Sequence, residues 1–420
     1  KLRRCANDAI LQRARSVSLE LRQDGETPGS LLFAVHVLIP PTATTGPCVM
    51  VCGGRNHTAV TTSKGELLTF LTFGPRAYGN GEHGQLGHGS DDINESVPRR
   101  VDALAGKCVV QVAGGWNYTA AITSTGELFT FGSGDSGRLG HGGDEQDELV
   151  PRLVDALVRK RVAQVVCGCH HAAVITSEGE LFTFGMGWDE RLGHGGEDNQ
   201  SVPRRVEALV GRRVVQVACG VRHTAVITSD GELLTFGDGE HGKLGHGGED
   251  NESVPRRVEA LVGKRVVQVA CGASSTAVIS SEGELFTFGY GWGGKLGHDS
   301  RNDELLPRRV EALVGKRVLQ VSCGMGHTAV LASTGEVIAF GCVMCKLPRY
   351  ENSELGPIHR VEALAGKCVV RVVCGHYHTV VVTSEGDVFT FGIGKYGGWD
   401  CDVGRERLSR RFEALLGYMR

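Results

Sequence analysis

The sequence predicts an all-β protein, a seven-bladed β-propeller built from seven repeats of about 52 residues. Three observations carry this. A C-G-x-x-H-T signature recurs with its glycine at Gly54, Gly115, Gly168, Gly220, Gly272, Gly324 and Gly375. Each repeat reads as four short β-branched or apolar segments. No repeat contains an amphipathic stretch of helix length.

The repeat at Val214–Lys264 shows the elements in order. Val214–Ala218 is a short apolar strand ending at Cys219-Gly220. Thr224–Thr228 and Glu232–Phe236 are two more, joined by the tight turn Ser229-Asp230-Gly231 that favours a hairpin. A long loop, Gly237 to Pro255, keeps fixed landmarks (L-G-H-G, then V-P-R-R) from repeat to repeat. Such recurrence makes it a structural loop despite its length. Arg256–Leu261 reads as the fourth strand, and Val262-Gly263-Lys264 turns into the next repeat. The ring is expected to close where Val49–Val51 of the first repeat meets Arg411–Leu415 of the last.

The propeller is expected over residues 46–420, with residues 1–45 an N-terminal extension in which Asn7–Gln23 could form a basic helix. Three repeats depart from the pattern. The first carries the insertion Leu71–Tyr78, the sixth replaces its loop with Cys342–Leu355, and the seventh ends in Gly397-Gly398-Trp399-Asp400-Cys401.

Composition narrows the function classes. Hydrophobic residues at 41% support a core and argue against disorder. Lys+Arg 45 against Asp+Glu 48 leaves a net charge of −3, so direct nucleic-acid binding is not expected. The longest apolar run, Leu31–Pro41, is interrupted by His36 and falls short of the ~20 residues of a membrane span. Cys167, Cys219, Cys271, Cys323 and Cys374 share one repeat position, which suits buried free thiols better than pairs. An intracellular setting, cytoplasm or nucleus, is the expectation.

The recurring C-G-x-x-H-T-A-V, S-x-G-E-[LV]-[FL]-T-F-G, G-x-L-G-H-G and V-P-R-R-V-E-A-L segments resemble the repeats of the regulator of chromosome condensation family. The resemblance runs from about residue 46 to 420 and implies a seven-bladed propeller. It also implies a protein partner, a small GTPase among the candidates. One role carried by the family is guanine-nucleotide exchange on a Ran-like small GTPase. That activity uses a projecting element, for which Leu71–Tyr78 is the only candidate here. The family's light-sensing members cluster tryptophans in G-W-R-H-T motifs; only Trp116 holds that position in this chain.

An up-and-down meander puts the G-x-x-H-T loop and the L-G-H-G loop of each blade on one face. The S-x-G and A-L-V-G-K turns fall on the other. The turn face is nearly constant in sequence. On the loop face, the two residues before the histidine position differ in every repeat: Arg55-Asn56, Trp116-Asn117, Cys169-His170, Val221-Arg222, Ala273-Ser274, Met325-Gly326 and His376-Tyr377. Arg55, Asn56, Trp116, Asn117, His170, Arg222, Ser274, His376 and Tyr377 are the candidate partner-binding residues.

The recurring histidines read as scaffold. His57, His171, His223, His327 and His378 are expected to bond loop backbone near the inner rim, as are His88, His141, His194, His246 and His298. His83 with His88, or His241 with His246, matches no recognised zinc spacing and shows no third ligand, and Cys342-x-x-Cys345 is a lone pair. No metal or cofactor is expected. Without a G-x-S-x-G elbow, a phosphate-binding loop or an H-E-x-x-H motif, no enzymatic activity is expected. The leading expectation is a protein-interaction scaffold, with nucleotide exchange as its alternative.

Overall fold

The computed structural model describes residues 50–54, 57–62, 64–71, 83–90, 98–143, 145–341, 358–374, 378–384 and 388–392. The N-terminal extension, all of the Leu71–Tyr78 insertion beyond Leu71, the Cys342–Leu355 loop and Arg411–Leu415 lie outside them. Within them the chain forms seven consecutive antiparallel sheets, six of four strands and a seventh of three, each a simple meander. This is the seven-bladed propeller the repeats predict. Among the described residues the only helical pieces are single 3-10 turns.

Blade four comprises Val214–Cys219, His223–Thr228, Leu233–Gly237 and Glu252–Arg257. Its first three strands match expectation to within a residue. The fourth is a correction: Arg256–Leu261 was the expected span, but the strand starts at Glu252, and Glu259–Leu261 is a 3-10 turn. The outer strand pairs on one side only and faces solvent, so its sequence is polar. Within the E-A-L segment, Leu261 is instead buried among residues of blades four and five. The first blade likewise begins at Val51–Gly53, two residues later than expected.

The core lies between blades. Ala218, Ile227 and Leu233 of blade four pack with Val258, Leu261, Val269, Val278 and Phe288, which lead into or belong to blade five. Gly245 of the L-G-H-G segment explains one landmark. Its φ is +77°, and a Cβ there would lie 2.8 Å from the Phe288 ring.

Polar side chains stitch the blades as well. The Gln111 amide donates to the Val165 carbonyl (2.9 Å) and accepts from the Val165 N–H (3.2 Å), copying a peptide group across the blade boundary. Gln268 does the same with Val321. At this position blade seven has Arg371 and blade one has Met50. The guanidinium Nη1 lies 3.3 Å from the Met50 sulfur, so the last described blade reaches the first.

The histidines form a second stitch, and here the expectation needs correction. His171 Nε2 lies 3.0 Å from the Thr224 hydroxyl of the next blade, and that hydroxyl donates to the Arg191 carbonyl at 2.8 Å. A hydroxyl has one proton to give, so the imidazole must donate from Nε2. His57–Thr119–Gln85 and His223–Thr276–Lys243 repeat the chain. The histidines therefore bond a neighbouring blade's threonine, not loop backbone. Gly220 shows why glycine precedes them: a Cβ there would meet the His223 ring at 2.3 Å. Where the histidine is replaced by Tyr118, its hydroxyl reaches the His171 carbonyl of blade three at 2.6 Å. The L-G-H histidines also choose threonine. His246 Nε2 sits 3.0 Å from Thr235, whose hydroxyl donates to the Leu244 carbonyl.

Thr224→Val keeps the side-chain shape but strands the His171 N–H and the Arg191 carbonyl in a buried site. We expect a loss of about 1–3 kcal/mol in denaturant unfolding; an unchanged midpoint would remove the stitch from the stability account. Burial also holds these imidazoles neutral, with His57 lowered to about 4 and His223 to about 3. An unfolded histidine titrates near 6.5. Below that value the unfolded chain takes up protons that the native chain refuses, so this stabilisation is present above pH 6.5 and is lost as pH falls through the native values. The melting temperature should drop between pH 6.5 and 4, and drop less steeply in His223→Gln.

Candidate loop-face interface

Strand register puts the two variable loops of each blade at one edge. In blade four His223 pairs with Gly237, so the loop preceding strand two and the loop following strand three emerge together. They are joined by backbone. In blades two to five the second residue of the variable pair accepts a hydrogen bond from the residue after the strand-three glycine: Asn117 from Ser133, His170 from Met186, Arg222 from Asp238, Ser274 from Tyr290 (2.8–3.0 Å).

Buried cations hold the same tips from beneath. Arg138 and Arg191 are 4% and 3% exposed, and Lys243 and Lys295 are 1% and 3%. Arg138 donates to the Trp116 carbonyl (3.2 Å), Arg191 to Val221 (3.0 Å) and Lys295 to Met325 (3.3 Å). Lys243 instead pairs with Asp238 at 2.5 Å. Burial pushes the Asp238 carboxyl up, but the Lys243 ammonium and the Glu240 N–H outweigh it and hold the group below the usual carboxylate range. Sequence reasoning missed this ring. Its signal was a basic residue recurring just before L-G-H, where its neighbours are core.

The tips also touch across blade boundaries. Trp116 stacks on His170 at 4.9 Å between blades two and three. Arg222 of blade four lies 3.8 Å from the Asp189 carboxylate of blade three. His241 stacks on Tyr290 at 4.2 Å between blades four and five. Of the predicted residues, the fold thus brings Trp116 to His170, while Asn117 adopts a φ of +63° beside them. Arg222 is exposed and Ser274 half-buried. Arg55, Asn56, His376 and Tyr377 lie outside the described residues. Sequence reasoning also passed over the tip of the second loop, where Trp188 and Trp292 stand 63% and 57% exposed.

Two histidine expectations resolve differently. His246 turns to Thr235, so it does not join His241. His241 instead meets Glu249 of its own loop and Asp303 of blade five, with ligand-type atoms within 4.8 Å of one another. The third group that the sequence did not indicate is therefore present, although His241 Nδ1 is already hydrogen-bonded to Asp303 at 2.7 Å. Four of the five thiols at the shared position behave as expected: Cys219, Cys271, Cys323 and Cys374 are buried and unpaired, with burial pushing Cys323 and Cys374 up to about 12, whereas Cys167 is unpaired but half-buried. Among the described residues no helix is long and apolar enough to cross a membrane.

Comparison with known proteins agrees with this architecture. The RCC1-like domain family matches residues 180–409, and regulator of chromosome condensation (RCC1) repeats match 77–122 and 125–175. The Arabidopsis thaliana ultraviolet-B receptor UVR8 is 35% identical over 88% of this chain and 81% of its own. The human E3 ubiquitin-protein ligase HERC2 is also 35% identical over 80% of this chain, which spans 7% of that protein's length. Among solved structures, human WBSCR16 superposes with a TM-score of 0.67 at 24% identity, covering 78% of this chain and 84% of its own. Prp20p of Saccharomyces cerevisiae, characterised with its binding to Gsp1p and histones, gives 0.63 at 20%, covering 76% and 80%. A loop face of this construction on seven stitched meanders, with these matches along the chain, makes it a member of the RCC1-like domain family.

Proposed function

We propose that this chain is a protein-interaction scaffold, which docks a protein partner on its loop face and carries out no covalent chemistry of its own. The observation that supports this most is the unequal use of the two faces. On the turn face the repeated residues are occupied in scaffold contacts, the arginines between blades and the glutamates within one. Arg213, Arg265 and Arg317 each donate to two carbonyls of the preceding S-x-G turn. Glu284 pairs with both Lys264 (2.6 Å) and Arg309 (3.3 Å), and Glu336 with Lys316 and Arg360. Residues with such duties repeat from blade to blade. On the loop face the scaffold is built from backbone and buried cations, which leaves the tip side chains free to differ. Rigid support under variable tips is the arrangement that recognition surfaces need. The buried free thiols fit an intracellular setting.

A guanine-nucleotide exchange factor for a Ran-like small GTPase is the second reading, supported by the fold shared with Prp20p. Exchange would need the loop face to bind the nucleotide-free GTPase best, so that partner and nucleotide weaken each other reciprocally.

Capture from native cells with wild-type chain and with the Trp116→Ala/Arg222→Ala double variant tests the first reading. Arg222 is exposed and Trp116 is half-buried at the loop tip, stacked on His170 and outside the core clusters, so the variant should melt within a few degrees of wild type. Its specific partner should be lost at least tenfold; equal capture by both proteins would move the interface elsewhere. Labelled-GDP release from Ran should stay near its intrinsic rate. Acceleration of several hundredfold, abolished by the double variant, would establish exchange instead.

A further inference from the structure

The first residue of the 3-10 turn in the second loop alternates through four consecutive blades. It is Asp135, then Trp188, then Glu240, then Trp292. All four side chains are largely exposed, although Asp135 Oδ2 also accepts from Ser133 and Arg138. The tryptophans are 63% and 57% exposed, and the Asp135 and Glu240 side chains 65% and 61%. An exposed indole is uncommon, and tryptophan is over-represented among the anchors of protein interfaces.

Charge around this row has one dominant sign. Behind it the same loops expose Glu197, Asp198, Glu249 and Asp250. Of their basic residues, Arg138, Arg191, Lys243 and Lys295 are buried and serve the scaffold, Arg138 pairing with Asp135 at 3.3 Å, while Arg301 of blade five is exposed. Blade three shows the crowding directly. Glu190 stands where blades two, four and five have Gly137, Gly242 and Gly294, and it takes a φ of +61°. Burial raises its carboxyl above the ordinary range, and the charges of Glu197 and Glu252 raise it further.

We propose that the arc of blades two to five seats a Lys/Arg-rich peptide segment of a protein partner, its cations lying by turns on Trp188 and Trp292 and against Asp135 and Glu240. An indole face attracts a guanidinium or ammonium, and arginine most often. A carboxylate accepts a guanidinium in bidentate fashion. One exposed ion pair contributes little, so affinity comes from the row and from long-range attraction to the acidic rim. The same charges repel nucleic acid and acidic peptides. This inference rests on the loop face being the docking face and adds the chemistry of what docks there.

Fluorescence anisotropy with labelled (Arg-Ser)6 and (Glu-Ser)6 peptides at low salt tests it. The basic peptide should bind and the acidic one should not. Trp188→Ala and Trp292→Ala should each weaken binding about threefold, and together about tenfold, with Asp135→Asn/Glu240→Gln similar to the pair. Melting curves confirm that these surface variants stay folded. Binding that ignores the double tryptophan variant would overturn the proposal, because diffuse charge would then account for it. Absence of peptide binding would also overturn it; if capture is still lost in Trp116→Ala/Arg222→Ala, the docking face itself stands. Concentration-dependent dimerisation abolished by the double tryptophan variant, without peptide binding, would replace the peptide with a second copy of this chain.

Discussion

The contact on which the rest depends is the buried chain from a histidine N–H through a threonine hydroxyl to a loop carbonyl. His171, Thr224 and Arg191 are its members between blades three and four. A four-stranded meander buries little by itself and becomes stable when both of its faces are covered by neighbours. Apolar packing between blades supplies the energy but is not directional. The hydroxyl, which must accept from one group and donate to another, fixes how far one blade is rotated against the next. Either the neutral or the charged ring could donate from Nε2, and full burial keeps it neutral.

That chain ends at the loop face, so it also decides what the face can be. The Thr224 and Thr276 hydroxyls bond the carbonyls of Arg191 and Lys243, the residues whose side chains lie buried beneath the tips. One residue thus gives its backbone to the blade boundary and its charge to the loop. Removing the charge from such a site leaves unpaired buried acceptors, which makes it as structural as any core leucine. Variation is pushed outward, to residues with neither duty.

Much of this was legible in the sequence. Seven copies of the C-G-x-x-H-T position, three of them exact, and the S-x-G turns set blade count and strand order, because glycine marks the points where the backbone must turn or a ring must fit. The outer strand is harder to read, because the apolar Ala260-Leu261 looks like a strand end and in fact belongs to a 3-10 turn that buries Leu261 between blades. The histidine partners were illegible for a different reason. Thr224 lies 53 residues from His171, and no local pattern couples them. The same distance hid the meeting of His241 with Asp303, 62 residues away. The variable pairs were found by comparing repeats. The alternation of Asp135, Trp188, Glu240 and Trp292 is legible by the same comparison, but it has no local periodicity because the four residues lie one to a blade.

Blades four and five carry the argument one step further. Glu197–Cys219 and Glu249–Cys271 differ at two positions only, so their connecting segments are under one set of physical demands. Yet the tips mounted on those blades read Val221-Arg222 against Ala273-Ser274, and Glu240-His241 against Trp292-Gly293. Backbone at both tips is the same: Asp238 and Tyr290 donate to the second residue of the pair in each, and His241 and Gly293 share the left-handed conformation. For glycine that conformation is free of strain, while for His241 it costs energy that its stacking on Tyr290 and its bond to Asp303 help to offset. A scaffold that alone set the sequence would have kept glycine in both. The residue that departs from the cheaper choice also bridges two blades on the docking face, so stability of the single loop is not what selected it.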